Sequence, residues 1–389
     1  MRGSLPVLVL VLVASASCRA GGPDDSIALR PPRCVTTAVN ARPLDELVGA
    51  KLRLLGRPFD VVTSADGQWS FVGLEDGAIA VVSNAAPPPV PVRMLRLPGP
   101  PALSALALTH DGRYLLATDG QDGIVVLRVD LAERPETRAI VGTLHARIAN
   151  AGAIGVATSL DDRLAFVTLE KANKIAVFDL ADAVASGFAR GRLIGTIPSG
   201  LAPVGMAVTP DGRWLYATSE LASRTATNGT LSVIDIRIAA ERPMDSVVAT
   251  APAGCGAVHA AVSPDGSMVW VTARESNSVF AFSTAKLLED PAHALVVEVP
   301  VGQAPVALTF VADGTRLLVA ESNRFLASGG AAGVSIIDTA AAIEGREALL
   351  GRVPTGSFPR AMAAGPRGTV LVANFNSDEL QLIRTDHLP

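Results

Sequence analysis

One turn recurs seven times along this chain, and its spacing constrains the fold more than any other feature. Asp66-Gly67, Asp111-Gly112, Asp161-Asp162, Asp211-Gly212, Asp265-Gly266, Asp313-Gly314 and Arg367-Gly368 follow one another at intervals of 45, 50, 50, 54, 48 and 54 residues. Each is preceded by a small-residue run and followed by a short apolar, β-branched run. The fullest copy is Ala202-Pro203-Val204-Gly205-Met206-Ala207-Val208-Thr209-Pro210-Asp211-Gly212-Arg213-Trp214-Leu215-Tyr216-Ala217-Thr218, followed by Thr230-Leu231-Ser232-Val233-Ile234-Asp235. Repeats of this length, with short strands and Gly/Pro punctuation, are the pattern of four-stranded propeller blades.

Each copy resolves into strands a to d. Strand a precedes the turn (Phe59 to Thr63, Val204 to Thr209, Val306 to Phe310), and its small residues suit a crowded centre. Strand b follows the turn, strand c ends near an Asp or Ser (Asp179, Ser283, Asp338), and strand d leads into the next copy. The seventh copy stops after strand c. The segment Lys51-Leu52-Arg53-Leu54-Leu55-Gly56-Arg57-Pro58 aligns with the d-strand segments Val299 to Pro305 and Val353 to Pro359, so Lys51 to Leu55 is expected to complete the last blade. The expectation is an all-β, seven-bladed β-propeller of four-stranded antiparallel blades over residues 50–389, one domain closed by an N-terminal strand.

The repeat unit Pro-x-Gly-x-Ala-Val-x-Pro-Asp-Gly-x-x-Leu-Tyr-Ala-Thr-Ser, then Leu-Ser-Val-Ile-Asp, resembles the YVTN β-propeller repeats of surface-layer and envelope proteins. That resemblance implies a propeller and leaves function open, because the repeat serves binding, scaffolding and enzymatic proteins alike. A narrower stretch, Val262-Ser263-Pro264-Asp265-Gly266-Ser267-Met268-Val269-Trp270-Val271-Thr272-Ala273-Arg274, resembles one late blade of the seven-bladed lactonases, relatives of 6-phosphogluconolactonase. Arg274 matches the arginine after strand b in that pattern. His259 stands where the pattern has an acidic residue six positions before the turn Asp.

The front of the chain reads as a targeting segment. Arg2 precedes the nine-residue apolar run Leu5 to Val13, about half the length that spans a bilayer as a helix. Residues 1–17 are expected to be a secretory signal, cleaved either after Ala16 or before Cys18. In the second case Ala16-Ser17-Cys18 resembles a lipoprotein box and Cys18 becomes lipidated. Residues 18–49 form an N-terminal extension. Either cleavage implies an exported protein, periplasmic or associated with the cell envelope, touching a membrane only through Cys18. Cys34 and Cys255 are then either a disulfide, which such a compartment preserves, or two unpaired thiols.

Loops between strands d and a and between b and c emerge on one face, around the mouth of the central channel. Those after strand b are long in the fourth copy (Ser219 to Gly229) and the sixth (Glu321 to Gly333). The column six residues before each turn reads Asp60, Ala105, Gly155, Gly205, His259, Ala307 and Ala361. Asp60 and His259 interrupt a ring of small residues, and Arg360 adjoins it. Glu220, Arg274, Glu275, Glu321, Asn323, Arg324, Asn374 and Asn376 fall at or just beyond the ends of b strands. The candidate ligand-binding set is therefore Asp60, His259, Arg274, Glu321, Asn323 and Arg360, able to hold an anionic or carbonyl ligand by charge-assisted hydrogen bonds. Trp69 and Trp214 follow their turns and are expected between blades.

A net charge of -4 gives no basis for phosphate-directed nucleic-acid binding. The five histidines have no metal-ligand spacing, so neither a metal nor a cofactor is expected. Asp119-Gly120-Gln121-Asp122-Gly123 has the outline of a calcium loop without its later Glu and is read as a tight turn. Gly-x-Ser-x-Gly, phosphate-loop and haem-attachment motifs are absent. Two functions remain: a monomeric binding or scaffold protein with a protein or small-molecule partner at the loop face, or a lactonase-like hydrolase using His259 as base and Arg274 on the carbonyl or carboxylate.

Overall fold

In a computed structural model, described for residues 34, 37–99, 102–134, 138–324 and 332–389, twenty-eight strands form seven four-stranded antiparallel sheets. The signal-like segment and Cys18 lie outside the described residues, as does the middle of the sixth-blade loop, 325–331. No helix among the described residues is long and apolar enough to cross a membrane.

Blade 4 shows the plan: strand a Leu201–Val208, b Trp214–Leu221, c Thr230–Asp235 and d Val247–Pro252, each paired with the next. Blade 7 has strands Pro359–Ala364, Thr369–Asn374 and Glu379–Arg384, and its outer strand is Val48–Arg53, from the other end of the domain. Lys51 lies opposite Gln381 and Leu52 opposite Leu380. The closing strand starts three residues earlier than the sequence suggests and ends before Leu54, which packs into the cluster between blades 7 and 1.

Seven buried apolar clusters hold the ring, one between each pair of neighbouring blades. Alternation along a strand serves two neighbours at once: Leu215 and Ala217 pack toward blade 3, whereas Tyr216 packs toward blade 5. Strands b and c are therefore covered on both faces, which is why they read as continuous apolar runs. Trp69 and Trp214 pack against the clusters between blades 1 and 2 and between blades 4 and 5.

The recurring turn is a small hydrogen-bond circuit. In blade 4 the Thr209 hydroxyl donates to the Asp211 carboxylate, Arg213 N donates to the same oxygen at 3.0 Å, and Trp214 N donates back to Thr209 Oγ1 at 3.0 Å. Ser64/Asp66, Thr109/Asp111, Ser159/Asp161 and Ser263/Asp265 repeat it. Asp162 takes the left-handed conformation (φ 55°) that Gly212 (φ 71°) takes in blade 4, as Asp tolerates better than most residues.

The Asp or Ser ending strand c has a second function. Asp179, Asp235, Ser283 and Asp338 each cap a short helix of four to six residues in the c–d connection, accepting from the backbone N–H three residues on. These helices were not expected from the repeat pattern, in which the Asp or Ser marks only the end of strand c.

Inner strands meet closely at the axis. A Cβ on Gly155 would stand 2.4 Å from Val204 O, and one on Gly205 would stand 2.4 Å from Val258 O and 2.8 Å from His259 Cα. Thr168 and Thr218 donate across the same gaps to Val204 O (3.0 Å) and Val258 O (2.6 Å). In blade 1 the corresponding strand-b position is Gly73, and there Asp60 bridges the gap, accepting from Leu106 N of blade 2 at 2.7 Å.

The N-terminal extension is strapped to the ring. Cys34 is disulfide-bonded to Cys255 in the d–a loop before blade 5, with Cα atoms 5.0 Å apart. Asn228 Oδ1, from the long fourth-blade loop, lies 3.3 Å from both sulfurs. Val39 N donates to Val301 O at 2.8 Å and Leu44 N to Arg352 O at 2.9 Å, while Leu44 and Leu47 bury themselves against blades 6 and 7.

Two outcomes test this packing. Gly205→Ala is expected to destabilise the protein by about 1–3 kcal/mol in urea unfolding, the usual cost of overpacking. An unchanged midpoint would contradict the close approach. Reduction of the disulfide, or Cys34→Ser, is expected to cost about 2–4 kcal/mol, read as a lower melting temperature in reductant.

Candidate functional site

Strand a of every blade turns one side chain toward the axis at the height of the Asp60 and His259 column. Because most of these side chains are small, a cavity of about 540 Å³ remains at the channel mouth. Asp60, Glu170, Glu220, His259, Arg274, Arg324 and Arg360 line it, with three aromatic residues, Phe59, Phe358 and Phe375. A larger open groove of about 820 Å³ runs along Val39–Arg42 and the outer edges of blades 5 and 6, and it contains none of these groups.

Arg360 is the central cation. Its guanidinium lies 3.5 Å from the Phe59 ring centroid and 5.8 Å from that of Phe358. Phe375 packs edge-on to both rings, at 5.6 Å and 5.4 Å. The described residues give the Arg360 side chain aromatic faces but no hydrogen-bond acceptor. Burial, with the nearby charges of Arg324 and Arg274, lowers its pKa to about 10 despite the opposing pull of Asp60 and Glu170.

His259 is held by its backbone, its N–H donating to Thr272 Oγ1 at 3.1 Å. Its imidazole has no hydrogen-bond partner among the described residues. His259 stays exposed to solvent, and its exposed surface belongs to the channel mouth, ringed by the inner strands of the other blades. Desolvation, reinforced by Arg360, pushes its pKa down to about 4, so the ring is neutral at pH 7.

Asp60 is pulled two ways. Burial raises its pKa, while the N–H groups of Leu106 and Val61 (2.8 Å) and the charge of Arg360 lower it, with a net result of about 6. Across the cavity, Arg274 grips Glu220 through two 2.7 Å contacts, Nη1 to Oε1 and Nη2 to Oε2. Burial raises the Glu220 pKa and Arg274 opposes the rise. Arg274 Nε is buried without a hydrogen-bond partner. With both Nη atoms engaged by Glu220, Arg274 acts first on Glu220, and Arg360 is the arginine better placed to meet a ligand.

Strand register decides which polar residues near the strand-b termini reach the channel. Ser219 lies opposite Pro203, and Glu220, the next residue, faces the axis. Leu169, Ala273 and Asn374 correspond to Ser219, so Glu170, Arg274 and Phe375 correspond to Glu220, and all three line the cavity. Glu321 lies opposite Pro305 and so corresponds to Ser219. One residue out of phase, it points into its own blade, where it accepts from Gly302 N at 2.8 Å and from Ser335 Oγ and lies 3.7 Å from Arg352 Nη1. Burial raises its pKa. Asn374 is likewise turned inward, donating to Glu379 and Gln381. Glu321, Asn323, Glu275, Asn374 and Asn376 do not line the channel, because the pleat and the left-handed turn at Asn323 (φ 45°) aim them elsewhere.

The fold and this cavity define a seven-bladed β-propeller with an ionisable, aromatic-rimmed channel mouth. Residues 156–328 match the family model described as "Lactonase, 7-bladed beta-propeller". The matched segment contains Glu170, Glu220, His259, Arg274 and Arg324, but not Asp60 or Arg360. No curated protein matches the chain. Among solved structures, hydrazine synthase of Kuenenia stuttgartiensis is similar with a TM-score of 0.67, at 18% identity over 87% of this chain and 97% of that one. The Cps50 (Swd1) β-propeller domain of Myceliophteria thermophila gives 0.63, at 14% identity over 86% and 98%. At such identities the likeness is one of fold.

The two perturbed groups make opposite contributions to stability. Between pH 4 and 6 the unfolded chain protonates His259 and the folded chain does not, so this group makes stability rise with pH. Over the same interval the unfolded chain has lost the Asp60 proton and the folded chain keeps it, so Asp60 makes stability fall with pH. Asp60→Asn is therefore expected to steepen the rise of melting temperature from pH 4 to 6, and His259→Gln to flatten or invert it. Two variant curves parallel to wild type would refute both assignments.

Proposed function

We propose that the channel mouth binds a small anionic ligand and that the reaction it is built for is hydrolysis of a lactone carrying an acidic group. One observation carries this reading: the imidazole of His259 and the guanidinium of Arg360 line the same channel-mouth cavity, and neither has a hydrogen-bond partner among the described residues. Solvent reaches both side chains, so a ligand entering the channel mouth meets an imidazole and a guanidinium whose polar atoms are accessible to bond it. The lactonase family match supports the choice of substrate class.

In this reading Arg360, braced by Phe59 and Phe358, receives the ligand's acidic group. The Glu220–Arg274 pair forms the opposite wall. Neutral His259 takes a proton from water as the water oxygen bonds to the lactone carbonyl carbon. The ring C–O bond then breaks, and the departing ring oxygen takes a proton from the imidazolium or from the acid form of Asp60, giving the hydroxy acid. A histidine with its pKa near 4 is a weak base, which favours a second reading: reversible binding of an anion or a partner at the same mouth, without turnover.

We also propose that the protein acts outside the cytoplasm, periplasmic or lipid-anchored through Cys18. The signal-like residues 1–17 support this, as does the Cys34–Cys255 disulfide, which an oxidising compartment preserves. Kinship with YVTN-repeat propellers rests on the repeat unit alone and belongs to the same proposal.

The test is hydrolysis of a panel of sugar and homoserine lactones, with and without an acidic substituent. His259→Gln is expected to lower kcat about 100-fold or more, the scale of general-base catalysis, and Arg360→Gln to raise KM for the acidic substrates, both at unchanged melting temperature. Binding of the hydroxy-acid products without any hydrolysis would select the second reading. Activity that survives in both variants would place the chemistry elsewhere.

A further inference from the structure

We propose that Asp119, Asp122 and His145 form a binding site for one first-row divalent metal ion on blade 2, separate from the channel. Asp119 directly follows strand b (Tyr114–Thr118) and Asp122 precedes strand c (Gly123–Arg128), while His145 ends strand d (Ile140–His145). The three come together only because the hairpin and the outer strand finish at the same height. One ligand atom from each lies within 4.8 Å of the other two.

The arrangement has the dimensions of a coordination sphere. His145 Nδ1 is 3.3 Å from Asp119 Oδ2 and 3.1 Å from Asp122 Oδ1. Ligand bonds of about 2.1 Å give edges of about 3.0 Å in an octahedron and about 3.4 Å in a tetrahedron.

The remaining carboxylate oxygens are already anchored. Asp119 Oδ1 accepts from Gln121 N at 2.8 Å and Gly123 N at 3.0 Å, and Asp122 Oδ2 accepts from Ile148 N at 3.1 Å. Such outer contacts orient metal-binding carboxylates.

Asp119 supplies the independent sign of a missing partner. Its side chain is only 4% exposed, and its Oδ2 points into the cluster with no hydrogen bond. His145 Nδ1 faces both carboxylates, and only its contact with Asp122 Oδ1 has hydrogen-bond geometry. Blade 6 places Glu321 at the same register position with the permanent cation Arg352 at 3.7 Å, whereas the group facing Asp119 in blade 2 is a histidine, a residue able to bind metal. Two carboxylates and one imidazole favour zinc and its neighbours over calcium or magnesium. The half-exposed His145 leaves the remaining positions open to water.

The full chain, stripped of metal with chelator and then freed of it, is titrated with zinc chloride by calorimetry and checked by elemental analysis and thermal shift. The expected result is one zinc per chain and a raised melting temperature. Asp119→Asn and His145→Gln are each expected to lower affinity at least ten-fold, while His110→Gln leaves it unchanged. Should Asp119→Asn disturb the turn, the surface variant His145→Gln decides alone. Absence of stoichiometric zinc on the wild type, or equal binding by His145→Gln, would overturn the site.

Discussion

Seven sheets share one axis, and the distance at which their inner strands pass each other governs the rest of the molecule. Where blades 3, 4 and 5 meet, a threonine at the end of one blade's strand b bonds to a backbone carbonyl of the next blade, and the facing glycine has no room for a Cβ. The ring is then sealed by apolar clusters that each belong to two blades, so no blade completes its core alone. Closure by Val48–Arg53 follows from the same requirement, since it gives blade 7 its outer strand and packs Leu54 between the first and last blades.

The candidate site is what this crowding leaves when it is relaxed. Small residues around the axis keep a cavity open, and the two larger polar residues in that column are held by structural bonds. Asp60 replaces a missing threonine bridge between blades 1 and 2, and His259 is fixed through Thr272. Their ionisation is therefore tied to architecture: both line the channel mouth among the packed inner strands, and desolvation there moves each toward its neutral form. Arg360 remains charged there, its pKa of about 10 supported by the carboxylates of Asp60 and Glu170 while aromatic faces flank the guanidinium. The result is an imidazole, a carboxyl group and a guanidinium lining one volume.

Most of the fold was legible because the turn repeats and because strands covered on both faces are apolar throughout. The closing strand was legible through its likeness to the other d segments. The c–d helices were not, since four to six residues are too few to show a helical period, and the Asp or Ser at the end of strand c reads only as a strand terminus. For the site, the column containing Asp60 and His259 was readable from its offset to the turn. Glu321 and Asn374 looked equivalent to Glu220 and Arg274 because all end b strands, and only the pairing with Pro305 and Pro359 reveals the one-residue phase difference. Counting from the turn Asp would have separated Glu321 from Glu170, Glu220 and Arg274, which share one offset, but it would have missed Phe375, because the hairpin of blade 7 is one residue shorter. The approach of His145 to Asp119 and Asp122 had no local signal, because it depends on where the outer strand of blade 2 ends.

The claim on which the functional reading stands is that His259 is a neutral, unpartnered imidazole inside the channel. Nitrogen-15 NMR of histidine-labelled protein, with the resonance assigned by His259→Gln, reports its protonation and its contacts directly. The account predicts a ring that stays neutral from pH 8 down to about pH 5, titrates near 4, and shifts when a hydroxy-acid anion is added. A ring that titrates between 6 and 7 and ignores the anion would mean that it faces bulk water, and would contradict the account.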